Sequence, residues 1–141
     1  MTEALYQDAI LALAKRGRAI GRLDAPTASA RVDNPVCGDR VTIDLMLDGG
    51  TVTAVGAKVQ GCALCQAAAA VIAEAAVGKE ATELTAAAAA IDVYLNDESD
   101  TLPWTQLGVF APVRPMKSRR DCVRLPFMAA TKALEAKQPA A

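Results

Sequence analysis

The chain has 141 residues, 52% of them apolar, with 15 Lys and Arg against 16 Asp and Glu and no histidine. That size and apolar content suffice for one domain, residues 1–141, with a buried core and no disulfides. A formal charge of −1 gives no overall attraction to nucleic acid or anionic lipid, and the missing histidine excludes Cys/His zinc fingers, Ser/His/Asp triads and Cys/His nucleophile pairs.

Leu5, Tyr6, Ala9, Ile10 and Leu13 recur at helical spacing, which predicts an amphipathic helix over residues 3–16 ending near Gly17. The same stretch carries Glu3 and Asp8 and lacks both a long apolar run and a small-residue cleavage site. Neither export nor membrane insertion is therefore expected, and the expected location is cytoplasmic. GRLDAPTAS reads as a loop. From Ala28 the period changes to two: Ala30 and Val32, then Val41, Ile43, Leu45 and Leu47 on one face with Thr42, Asp44 and Met46 on the other. DGG at 48–50 is a hairpin turn and 51–59 the returning strand. CALCQAAAAVIAEAAVGK predicts a helix stopping at Gly78, and a second helix follows over 82–95, its alanine run read as helix filler. Residues 96–118 hold three prolines and the one tryptophan, an irregular connection with a short helix around Trp104 to Val109. A last helix is expected over Cys122 to Lys137, with Pro126 in or near its first turn. The expected fold class is α+β: a small three-stranded antiparallel sheet with helices packed on one face.

Four cysteines in a reducing compartment favour metal binding or thiol chemistry over disulfides. Pro35 and Gly38 keep Cys37 in a loop near the surface, while Cys62, Cys65 and Cys122 fall at expected helix starts, where the helix dipole favours thiolate. Arg114, Lys117, Arg119, Arg120 and Arg124 add cations around Cys122. From the residues alone several readings stay open: cysteines packed as small hydrophobes, an all-cysteine structural zinc site, or a C-x-x-C redox pair, although the last calls for a parallel βαβ setting.

NPVCGD, VQGCALC opening a helix and RRDCVRLP, with LY near the start and a hairpin between the first two motifs, together resemble the NifU N-terminal superfamily, which includes IscU-like and SufU proteins of iron–sulfur cluster assembly. The resemblance implies metal ligands at Cys37, Asp39, Cys62 and Cys122, with Arg119 as the motif arginine. Asp121 stands where IscU-type members usually carry a histidine, and the stretch between Cys62 and Cys122 is longer than theirs. Both departures resemble the SufU branch. That branch implies a zinc-dependent protein accepting persulfide sulfur from a SufS-type cysteine desulfurase on Cys37 and passing it to downstream cluster assembly proteins, a sulfurtransferase-like acceptor rather than a stand-alone enzyme. The alternative is an IscU-type scaffold carrying iron or a [2Fe–2S] cluster on the same residues. Cys65, one helical turn beyond Cys62, is expected to pack beneath the site, with a substitute-ligand role as the alternative. Asp39 is preferred as fourth ligand because it shares a tight turn with Cys37.

Overall fold

The computed structural model describes residues 3–35 and 38–137. Gly49 and Gly50 both take positive φ, 58° and 92°, the combination that a two-residue hairpin needs to match strand twist. This turn joins β2 (Asp39–Asp48) to β3 (Thr51–Gln60), and β1 (Ala28–Asn34) pairs with the other edge of β2, all antiparallel in the order β1-β2-β3. The register sets Ile43 against Ala30 and Ala57, and it shifts once, between Met46 and Leu47. Of the face expected from the period-two pattern, Val41, Ile43 and Leu45 are buried, with Val52 and Ala57 of β3 beside them, while Ala30, Val32 and Leu47 are half-buried. Helices α2 (Ala63–Ala75) and α4 (Lys117–Lys137) lie on the sheet, α1 (Glu3–Arg18) packs on α2, and α3 (Ala81–Leu95) on α4. The chain thus has the α+β architecture that the hydrophobic pattern predicts. No helix among the described residues is long and apolar enough to cross a membrane.

Three element boundaries differ from the sequence expectation, each for a physical reason. Helix α1 runs through Gly17 rather than stopping there. Gly17 is buried against α2, and a Cβ built on it would collide with the Gln66 carbonyl. The glycine is a contact point between helices, and the buried stripe is Ile10, Leu13, Ala14 and Gly17, with Ala9 exposed. Gly17→Ala is expected to destabilise the protein by about 1–3 kcal/mol, the usual cost of overpacking, although alanine is the better helix former. A urea titration of both proteins reads this directly. Next, the connection after α3 contains a nine-residue 3₁₀ helix, Thr105–Val113, anchored in the core by Leu107, Phe110 and Val113. Finally, α4 starts at Lys117, so Cys122 lies in the second turn and Pro126 inside the helix rather than at its start.

The sheet's second face is covered around Asp44 and Gly56. The expected loop after α1 crosses it, with Ala57 N–H donating to the Gly21 carbonyl at 3.1 Å. Gly56 lies beneath the crossing, where a Cβ would meet the Gly21 carbonyl and Leu23 at 2.8 Å. Asp44 anchors this layer. Its fully buried carboxylate accepts from Arg22 at 2.6 and 3.0 Å, from the Leu23 N–H at 3.0 Å and from the Ser29 hydroxyl at 2.6 Å. Burial alone would push its pKa up, but these donors outweigh burial and hold it below the usual carboxylate value.

Candidate metal centre

Cys62 is the N-cap of α2, in extended geometry with φ −74° and ψ 174°, and Cys65 follows in the helix's first turn. That offset places both sulfurs at the same helix end. Asp39 opens β2 opposite Asn34, and the preceding Gly38, at φ 77°, donates its N–H to the Asn34 carbonyl at 2.8 Å. Cys122 comes from α4. One ligand atom from each of Asp39, Cys62, Cys65 and Cys122 lies within 4.8 Å of all the others. Cys65 is fully buried, Asp39 and Cys122 are each 9% exposed, and Cys62 is half-buried.

The electrostatics separate the thiols. Hydrogen bonding from the Cys65 side chain is the main influence lowering Cys62 to about 5. Burial opposes it, while the backbone N–H groups of Cys65 and Leu64 and the Cys122 thiol assist. Cys65 is pushed up by hydrogen bonding with Cys62, by burial, and by the nearby negative charges of Cys62 and Asp39. Its sulfur also lies 3.3 Å from Asp39 Oδ2 and 3.1 Å from the Cys122 carbonyl oxygen. Cys122 Sγ is 3.7 Å from the same Asp39 oxygen.

Two features that support this geometry were legible only in part. A Cβ on Gly61 would meet the Asp39 carboxylate carbon at 2.9 Å, so the glycine before Cys62 makes room for the acid. Gly61→Ala is expected to leave the fold intact and weaken zinc binding about tenfold, the scale of a disturbed ligand environment, as a competition titration against a chromophoric chelator would read. The second feature is Pro126. It has no N–H to give to the carbonyl four residues back, which is that of Cys122, and this acceptor is taken instead by the Cys65 thiol. The sequence signal was the four-residue offset between Cys122 and Pro126.

The expected ligands Asp39, Cys62 and Cys122 come together, while Cys37 lies outside the described residues. Cys65, expected as packing beneath the site, contributes its sulfur to the group. Arg119 is exposed and lines a groove with Ala63, Leu64 and Met116. Three of the cations expected around Cys122 instead tie down the C-terminal end of α3. Arg114 donates to the Tyr94 carbonyl at 2.8 Å, Arg120 to the Leu95 carbonyl at 3.3 Å, and Arg124 to Asn96 at 2.6 Å. These groups complement the helix dipole rather than face sulfur. Asp121 is exposed and ion-paired to Arg124 at 3.1 Å, outside the donor group.

Three sulfurs and one carboxylate around a common point are a donor set that fits a thiophilic ion such as zinc in four-coordination. The residues therefore fit a metal.

Residues 5–106 match the family described as NifU-like N terminal domain. The iron–sulfur cluster assembly scaffold protein IscU of Thermotoga maritima is 31% identical over 80 residues, covering 57% of this chain and 56% of that protein. The chain thus spans about half the length of this curated relative. The crystal structure of a nitrogen-fixing NifU-like protein (N-terminal) from Brucella abortus superposes with a TM-score of 0.86 at 32% identity, covering 96% of each chain. The FiSufU protein of Fervidobacterium islandicum AW-1 shares the fold, with a TM-score of 0.82 at 23% identity over 95% of this chain and 99% of that one. With its sheet order, its helices and a match across residues 5–106, this chain belongs to the NifU-like N-terminal domain family.

Proposed function

We propose that the protein works in iron–sulfur cluster assembly as a SufU-type, zinc-dependent acceptor of persulfide sulfur from a SufS-type cysteine desulfurase. The observation that carries this reading is the group of Asp39, Cys62, Cys65 and Cys122, all within 4.8 Å, in a chain of this family. Zinc bound by these residues would keep thiolates deprotonated at neutral pH. Residue 37 supplies the sulfur acceptor. Its thiolate attacks the terminal sulfur of the desulfurase persulfide; that S–S bond breaks as a new one forms on Cys37, and the desulfurase cysteine leaves as thiolate. The sulfane sulfur changes carrier without net oxidation or reduction, then passes to downstream assembly proteins.

A second reading, a scaffold on which a [2Fe–2S] cluster is built, is favoured by the name of the Thermotoga relative. Metal and acid-labile sulfide content after purification without oxygen, followed by desulfurase assays, separates the two. About one zinc per chain, no sulfide, and faster turnover of a SufS-type desulfurase are expected. Cys37→Ala should retain the fold and lose that stimulation. Undiminished stimulation by the variant would remove Cys37 from the role, and iron with matching sulfide in the wild type would favour the scaffold.

A further inference from the structure

Among the described residues, Asp39, Cys62, Cys65 and Cys122 already supply four donors, as many as a tetrahedral ion takes. A site made of Cys37, Asp39, Cys62 and Cys122 would drop to three protein ligands whenever Cys37 carried sulfur, leaving a position open to water or to loss of the metal. Cys65 removes that difficulty. Its sulfur already lies within 4.8 Å of the ligand atoms of Asp39, Cys62 and Cys122, in the first turn of a helix whose backbone is fixed by the core. It is aimed at them by an acceptor that Pro126 leaves open, the Cys122 carbonyl at 3.1 Å. Full burial keeps it from outside reagents, and no movement of the chain is needed to bring it in.

We infer that Cys65 is a ligand of the centre, so that Asp39, Cys62, Cys65 and Cys122 hold the metal by themselves and the thiol of residue 37 is dispensable for holding it. This rests on the sulfur-acceptor reading and deepens it: the protein carries its own replacement ligand, and sulfur acceptance and metal retention are separate duties of different cysteines. Binding zinc through Cys65 would then displace its proton to solvent.

The test loads four full-length proteins with zinc and with Co(II): wild type, Cys37→Ala, Cys37→Ala/Cys65→Ala and Cys37→Ala/Cys65→Ser. Circular dichroism confirms that each is folded. Cys37→Ala is expected to bind one ion per chain with affinity within about tenfold of wild type, and its Co(II) form to show sulfur-to-metal absorption of three thiolates. Each Cys65 double variant should lose more than about 100-fold in affinity, beyond what a lost hydrogen-bonding partner of a ligand costs, and show one thiolate fewer. The serine variant decides between ligand and support, because its hydroxyl can still donate to the Cys122 carbonyl but is a poor partner for a thiophilic ion. Retention of metal in Cys37→Ala/Cys65→Ser would reduce Cys65 to a positioning residue and overturn the inference. So would loss of metal from Cys37→Ala alone. If either happens while wild type binds zinc and stimulates the desulfurase, the functional reading survives; a wild type that binds no metal overturns both.

Discussion

Removing bound zinc is expected to lower the thermal midpoint by about 12–16 °C. An ion held at 1,000 times its dissociation constant stabilises the folded state by about 4 kcal/mol, and each kcal/mol moves the midpoint of a domain this size by roughly 3–4 °C. The candidate ligands come from three separate elements, the start of β2, the start of α2 and the second turn of α4, so an ion held there would bridge segments distant in sequence. A chelator added to the wild type should produce the drop and excess zinc should reverse it. In Cys62→Ser/Cys122→Ser, which removes two thiolates from two different helices, scans with and without zinc should coincide. A persistent zinc-dependent shift in that double variant would mean that the metal is held elsewhere.

The second large effect concerns Asp44, which lies on the face of the sheet away from the helices and contributes nothing to the donor group. Its carboxylate is fully buried and receives four hydrogen bonds, while its ionic partner Arg22 is 49% exposed. Asp44→Ala strands three donors, the Arg22 guanidinium, the Leu23 N–H and the Ser29 hydroxyl, of which the guanidinium can turn to water. A loss of about 3 kcal/mol is expected, at the lower end of the range for breaking a buried pair because Arg22 stays partly solvated. The pH dependence has a definite sign. The folded-state pKa lies below the unfolded value of about 3.9. The ionised group's contribution is therefore fully present above about pH 4 and is lost as pH falls through the lower, folded value. Urea titrations from pH 7 to pH 3 should show stability falling toward acid in the wild type and a shallower acid limb in Asp44→Asn. Parallel curves would show that other carboxylates govern acid unfolding.

Much of this molecule is determined by sequence because its signals are local. Alternation through Val41, Ile43 and Leu45, two glycines at the turn and strong helix formers after Cys62 specify strands, hairpin and helix without help from distant residues. The residues alone left the cysteines' role open; it was the resemblance of three motifs to a known family that implied one site for Asp39, Cys62 and Cys122, whose ligand atoms the structure brings within 4.8 Å of one another. What the local signals could not determine depends on which surface meets which. Gly17 looked like a helix end, but it is a close approach, since only the packing of α1 on α2 brings the Gln66 carbonyl against it. Asp44 alternated like a solvent-facing residue, yet the loop after α1 folds over that face and encloses it. The arginines near Cys122 formed a cationic run in one dimension, whereas in three dimensions Arg114, Arg120 and Arg124 reach the end of α3. Pro126 read as a mark of a helix start because an interior proline normally leaves a carbonyl without a donor. Tertiary packing alone supplied that donor, the thiol of Cys65 from another helix, and in doing so turned a residue expected as filler into part of the centre.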